Sequence, residues 1–229
     1  MKVEVLADAD AVATRAAALI AAEARAAAAA RGRFALAVSG GRTPWVMLRA
    51  LAAEQVPWES VHLFQVDERV APPGHEDRNL THIRESLVGP ARLAHVHAMP
   101  VEDPDLPAAA ARYAEELRSV VGSPPQLDLV HLGLGTDGHT ASLVPGDPVL
   151  QVADADVAVT GVYQGRRRMT LTFPVLDRAR RVLWVVTGSD KAAVVARLRA
   201  GDRSIPAGRI PADRALLLLD AAAARTPDG

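Results

Sequence analysis

Cysteine is absent from the 229 residues, which excludes disulfide bonds and thiolate metal sites. Aromatic residues make up only 3%, so few side chains could stack on nucleic-acid bases. Acidic and basic residues nearly balance, at 27 and 26, and the net charge of −1 creates no field that would attract nucleic acid or an anionic membrane. No apolar run approaches membrane-spanning length, and the N-terminal stretch MKVEVLADAD lacks the apolar segment of a signal peptide. These absences predict a soluble cytoplasmic protein that binds neither nucleic acid nor membrane.

Short apolar runs alternate with helical patterns, and several runs are continuously apolar, as is typical of strands buried in a parallel sheet. The runs expected to form strands are residues 3–6, 34–38, 61–66, 127–132, 182–187 and 216–219. Helices are expected over residues 9–31, with Asp8 or Asp10 as N-cap, from near Pro44, Asp77 and Leu106, and over residues 190–199. Residues 157–172 are more strand-like and are expected to include a non-parallel pair. The pattern predicts one α/β domain over residues 1–229, with a Rossmann-like, mostly parallel sheet, helices on both faces and a small non-parallel strand region.

The stretch GLGTDGHTASLVP, residues 133–145, contains the G-x-G-x-x-G spacing of a dinucleotide-binding loop. Such a loop needs a long helix after it, but the prolines and glycine at 145–148 leave room for only about one turn. We therefore interpret the stretch as a glycine-rich turn that carries Asp137 and His139 at a strand end. A histidine there can exchange a proton near neutral pH, and Asp137 can orient its ring. The alternative interpretation is a capping aspartate beside an exposed histidine.

Three other strand ends carry residues suited to an anion. The first, VSGGRTP at residues 38–44, precedes a helix, whose N-terminal N–H groups favour phosphate. In QVDERV, residues 65–70, Arg69 could bind an anion through two nitrogens. In TGSDKA, residues 187–192, Lys191 opposes the dipole of the next helix unless an anion lies nearby. Because ligands bind outside the carboxyl ends of parallel strands, the four ends together predict one sugar-phosphate site, although each could be an ordinary turn or loop when considered alone.

These motifs together resemble the 6-phosphogluconolactonase family, which shares a superfamily with glucosamine-6-phosphate deaminase. The resemblance runs from SGGRTP at Ser39 to SIPAGRI at Ser204 and includes PWESVHLFQVDERVAPPGHEDRN, LDLVHLGLGTDGHTASLVP and RRRMTLTFPVL. It implies hydrolysis of 6-phosphoglucono-δ-lactone to 6-phosphogluconate, the second step of the oxidative pentose phosphate pathway, without a metal or an organic cofactor. The implied catalytic residues are His139 as the base, Asp137 orienting it and Asp67 lining the sugar. The implied substrate- and phosphate-binding residues are Ser39, Gly40, Gly41, Thr43, Arg69, Arg168 and Lys191, where Arg168 is selected by the motif before TLT.

Two alternatives remain open. The deaminase branch shares the D-G-H turn, but its stretch resembles DGHIAFNEP, with a catalytic glutamate where this chain has Val144. A non-catalytic sugar-phosphate sensor would normally carry a helix-turn-helix, for which this length leaves no room.

His95 and His97 could share one face of a strand, but two histidines without a third ligand favour no metal site. A monomer or a small homo-oligomer is expected.

Overall fold

The computed structural model describes residues 1–225, which form two sheets and seven α-helices. The strands are β1 Lys2–Leu6, β2 Phe34–Val38, β3 Val61–Gln65, β4 Asp67–Arg69, β5 His95–His97, β6 Leu129–Leu132, β7 Val157–Val159, β8 Arg168–Leu171, β9 Val182–Val186 and β10 Ala215–Asp220. The helices are α1 Ala9–Arg31, α2 Arg42–Ala52, α3 Asn79–Ile83, α4 Gly89–Ala91, α5 Leu106–Val121, α6 Phe173–Arg178 and α7 Ala192–Arg199.

The larger sheet has seven parallel strands in the order β1-β10-β9-β6-β2-β3-β5. Both of its faces are buried: Phe34 and Leu36 of β2 pack in one core cluster with α1, whereas Ala35 and Ala37 pack in the other with α5. Continuous apolar runs are therefore required, because every side chain of a central strand meets a covering layer. The arrangement confirms the predicted α/β fold with helices on both faces.

The smaller sheet has three antiparallel strands in the order β4-β8-β7. It confirms the non-parallel region expected within residues 157–172. Its third strand, β4, was not expected, because residues 61–66 were predicted to be one strand followed by a charged loop. The chain changes sheets at Val66, whose N–H donates to Val38 O at 3.1 Å while its carbonyl accepts from Leu171 N at 2.8 Å.

The helix ends largely follow the capping signals. The predicted bounds of α1 are confirmed, and its N-cap is Asp8, whose carboxylate accepts from Ala11 N at 2.8 Å. Helix α2 begins at Arg42 rather than Pro44, and α3 begins at Asn79 rather than Asp77. Residues Ser189–Lys191 form a 3₁₀ turn ahead of α7 instead of its first turn. Within residues 1–225, every helix is too short or too polar to traverse a lipid bilayer.

Candidate active site

The strand order of the large sheet reverses between β2 and β6. From β2 the chain proceeds outward through β3 to β5, whereas β6 lies on the other side of β2 and is followed by β9. In open α/β sheets, the crevice at such a reversal is where ligands bind. The four predicted strand ends belong to β9, β6, β2 and β3, which are consecutive neighbours in the sheet. The fold therefore brings the four motifs to one edge.

A cleft of about 450 Å³ lies at this edge. All the predicted site residues except Asp137 line it, and Asp137 lies against His139. The lining residues among the predicted set are Ser39, Gly40, Gly41, Thr43, Asp67, Arg69, His139, Arg168 and Lys191. No group of three or more potential metal ligands occurs within the described residues.

His139 and Asp137 form the pair expected from the turn sequence. The Nδ1 atom of His139 lies 2.6 Å from Asp137 Oδ1, and the His139 backbone N–H donates to the same oxygen at 3.1 Å. Burial alone would raise the pKa of Asp137, but the His139 N–H, the His139 ring and the hydroxyl of Tyr163 together lower it. The carboxylate is therefore ionised near neutral pH and can hold the imidazole with Nδ1 protonated, which leaves Nε2 as the free nitrogen.

Glycine is required beside this pair. A Cβ at Gly135 would lie 2.1 Å from His139 Nδ1 and 2.7 Å from Asp137 Oδ1, well inside van der Waals contact. Gly138 has a φ of 87°, in the left-handed region that favours glycine, and its Cβ would meet the side chain of Ile205 at 2.5 Å. Gly135 and Gly138, which match the spacing of a dinucleotide-binding loop, therefore allow the turn to fold tightly around the Asp–His pair.

Arg69 and Arg168 lie directly opposite each other on the antiparallel strands β4 and β8. Like charges at paired positions are destabilising, so a nearby anion would relieve the arrangement. Among residues 1–225, neither Nε atom has a hydrogen-bond partner, although both are buried. Arg69 donates to Asp77 O at 2.9 Å and Arg168 to Gln164 Oε1 at 3.2 Å. Burial lowers the pKa of Arg168 from its ordinary value, but the guanidinium stays charged at any physiological pH.

Asp67 is held from two sides. Its Oδ2 accepts from Ser142 Oγ at 2.6 Å, and its Oδ1 accepts from Asn79 Nδ2 at 3.3 Å. Asn79 itself is fixed by Glu68, which is fully buried and accepts from the backbone N–H groups of Asn79 and Leu80 at 2.8 Å each. Glu68 thereby caps α3 from a neighbouring strand, which explains why this helix begins at Asn79.

The loop after β2 offers backbone N–H groups to the cleft. Gly41 is the N-cap of α2, with a φ of 123° and no side-chain cap. Ser39 is fixed behind the loop by His131, whose Nδ1 lies 3.3 Å from Ser39 N and whose carbonyl accepts from Ser39 Oγ at 3.1 Å. Thr43 and Thr187 join the loop to the end of β9 through hydroxyls 2.8 Å apart. On that side Lys191, with 24% of its side chain exposed, lies 3.6 Å from Asp190 Oδ2. The helix N-terminus and the lysine together favour an anion.

Comparison with known proteins shows the family. The model of the glucosamine-6-phosphate isomerase/6-phosphogluconolactonase family matches residues 7–218. The 6-phosphogluconolactonase of Nostoc sp. is 38% identical over 96% of both chains. The chain belongs to this family. Crystal structures of the 6-phosphogluconolactonases of Thermotoga maritima and Shewanella baltica match at 26% and 25% identity, with TM-scores of 0.85 and 0.88, each over 96% of this chain and 98% of that protein. The family name covers two activities, so residues at the site must distinguish them.

Several residues of the site were not predicted from the sequence. Asn79 lines the cleft, and although it ends one of the quoted motifs it was not singled out as a site residue. Tyr163 donates to Asp137 Oδ2 at 3.1 Å and lies outside the motifs. Arg42 and Thr187 also line the cleft; they lie inside the motifs VSGGRTP and TGSDKA but were not among the predicted site residues. Val144, where the family resemblance implies that a deaminase would carry its glutamate, is buried with 7% exposed.

Proposed function

We propose that this protein hydrolyses 6-phospho-D-glucono-1,5-lactone to 6-phospho-D-gluconate, the second step of the oxidative pentose phosphate pathway. The observation that carries the proposal is the presence of two features at one cleft: the Asp137–His139 pair, and the cations Arg69 and Arg168 at paired strand positions. The first supplies a base, and the second supplies a site for a doubly charged phosphate. The names of the family relatives support the same substrate.

His139 acts as the general base in this reaction. Because Asp137 occupies Nδ1, the Nε2 atom takes a proton from water as the water oxygen bonds to the lactone carbonyl carbon. The resulting tetrahedral intermediate collapses with cleavage of the bond between that carbon and the ring oxygen. His139 returns its proton to the departing ring oxygen, which becomes the C5 hydroxyl, and the new carboxylic acid ionises. General acid–base catalysis of this kind typically contributes about 10²–10⁴-fold.

The phosphate holds the reacting carbonyl near His139. Arg69, Arg168 and Lys191 supply the positive charges, and the loop of Gly40, Gly41 and Thr43 supplies N–H and hydroxyl donors. The contribution is one of position, since fixing the far end of the substrate replaces an encounter in solution. Ser39 supports the loop from behind through its bonds to His131.

Asp67 lines the sugar side of the cleft. It is 4% exposed, and its two oxygens already accept from Ser142 and Asn79. This leaves lone pairs for a substrate hydroxyl or for the attacking water. We assign it to substrate and water positioning rather than to proton transfer.

An amino-sugar phosphate deaminase is the second candidate, because the family includes that activity. Ring opening and isomerisation need a further acid–base group, and the family resemblance places it where this chain has the buried Val144. A valine cannot transfer a proton, so the site favours lactone hydrolysis.

The test follows fresh 6-phosphoglucono-δ-lactone by NMR with and without protein, with the spontaneous hydrolysis subtracted. We expect turnover that falls at least about tenfold in His139→Ala, while His95→Ala, which removes an exposed histidine on β5, retains it. Lys191→Ala should mainly raise KM. No acceleration by the folded protein, or release of ammonia from glucosamine 6-phosphate, would refute the assignment.

A further inference from the structure

Tyr163 is the residue outside the predicted motifs that contacts both halves of the site. Its hydroxyl lies 3.1 Å from Asp137 Oδ2, on the carboxylate oxygen that His139 does not use. Its ring lies 4.9 Å from the guanidinium carbon of Arg168 and meets the ring of His139 edge to face at 5.4 Å. One side chain therefore touches the base, the carboxylate that orients it and an anion-binding cation.

The backbone holds Tyr163 in a tight hairpin. Its N–H donates to Arg166 O at 2.9 Å, and the two residues between them, Gln164 and Gly165, have φ values of 51° and 79°. Positive φ at both central residues is the signature of a type I′ turn, the connection that best matches strand twist. Arg166 anchors the hairpin through its Nε, 2.6 Å from Asp77 Oδ2. The side chain of Tyr163 is thus presented from a fixed position.

The phenol is a donor throughout the working pH range. Burial raises the pKa of Tyr163, and the neighbouring Asp137 carboxylate raises it further. A protonated hydroxyl facing an ionised carboxylate donates a charge-assisted hydrogen bond. With His139 Nδ1 on one carboxylate oxygen and Tyr163 on the other, Asp137 cannot rotate away from the imidazole without losing a bond.

The ring acts on Arg168 in a different way. The guanidinium lies over the aromatic face and donates to Gln164 Oε1 at 3.2 Å, so residues of the same hairpin hold it by two contacts. Neither contact is made by a carboxylate, so neither partner neutralises the charge of Arg168. The guanidinium is therefore held in position and remains available to an anion.

We propose that Tyr163 is a positioning residue that couples the two halves of the site: its hydroxyl fixes Asp137 against His139, and its ring fixes Arg168 for the substrate phosphate. This inference rests on the proposed lactonase function. The roles of the hydroxyl and of the ring can be separated by mutation. Removing the hydroxyl should lower kcat, whereas removing the ring should also weaken phosphate binding.

The test compares Tyr163→Phe, Tyr163→Leu and the control Val162→Ala, whose side chain is 71% exposed on the same loop. For Tyr163→Phe we expect kcat to fall about three- to tenfold with KM within about twofold, since one charge-assisted hydrogen bond is lost. For Tyr163→Leu we expect KM to rise by about threefold or more in addition, as a cation–π contact is lost. The control should match wild type in both constants.

Two readouts do not depend on turnover. The ¹⁵N resonances of the His139 ring should shift in Tyr163→Phe, and the affinity for inorganic phosphate should fall in Tyr163→Leu but not in Tyr163→Phe. If the wild-type protein does not hydrolyse the lactone, the proposed function is refuted, and the His139 resonances and the phosphate affinity still test the role of Tyr163. Unchanged kcat and unchanged His139 resonances in Tyr163→Phe would overturn the role of the hydroxyl. Unchanged KM and phosphate affinity in Tyr163→Leu would overturn the role of the ring.

Discussion

Gly135→Ala tests whether the observed geometry of the Asp–His pair is the reacting geometry. The added Cβ would lie 2.1 Å from His139 Nδ1 and 2.2 Å from Cε1, where ordinary contact begins at 3.4 Å. The imidazole must therefore retreat by more than about 1 Å, and a misplacement of that size costs about 10²-fold in rate. Gly135 does not have a positive φ, so alanine introduces no backbone strain and the protein should remain folded. We expect kcat to fall by about 10²-fold, towards the level of His139→Ala.

The assay is steady-state lactone hydrolysis, with a circular-dichroism melt to verify folding. Thr136→Ala is the matched control, because Thr136 is the exposed next residue of the same turn and is not among the residues that line the cleft. It should change kcat by less than about threefold. A folded Gly135→Ala protein with kcat within threefold of wild type would refute the assignment of His139 and Asp137 to the reaction.

The remaining predictions concern charge. Arg168→Met should raise KM by about tenfold or more, because it removes a cation that lines the cleft, and an unchanged KM would contradict its assignment to the substrate phosphate. Burial lowers the pKa of His131 to about 3, so the unfolded state binds the extra proton below its own pKa. The free energy of unfolding should therefore decrease by roughly 2 kcal/mol from pH 6.5 to pH 5 on account of this residue, and urea titrations of His131→Gln should lack that part of the slope. Glu68→Gln leaves the buried Arg78 beside a neutral side chain and should lower the free energy of unfolding by about 3 kcal/mol or more. Glu102 also pairs with Arg78 but is 42% exposed, so Glu102→Gln should lower the same free energy by less than about 1 kcal/mol in urea titrations.

The sheet and the site edge could be predicted because their signals are local. Residues 34–38 and 182–186 are apolar without interruption, which indicates central strands, and the polar or glycine residues that follow each run mark the carboxyl ends. The contact between Asp137 and His139 could also be predicted, because two side chains that are two residues apart on a tight glycine turn lie close together.

Strand β4 could not be predicted because it is a strand only through its pairing with β8, about a hundred residues later in the sequence. Asp67–Arg69 is three charged residues long and has no apolar face, so its sequence favours a solvated loop. It becomes a strand by pairing with β8, whose position along the chain the sequence does not reveal. The contacts of Asn79 with Asp67 and of Tyr163 with Asp137 were also missed, because they join residues 12 and 26 positions apart that no local pattern relates.

The same pairing separates the roles of three consecutive arginines, from which the family resemblance had selected Arg168. In an antiparallel ladder the register decides which side chain faces which, and here it sets Arg168 against Arg69 while Arg166 reaches Asp77. A sheet that served only stability would not place two arginines opposite each other, nor a lysine at the start of a helix. These violations lie on one cleft, beside the Asp137–His139 pair. Local rules that fail together at one place indicate a ligand that compensates for them, and an anion would compensate for all of these positive charges.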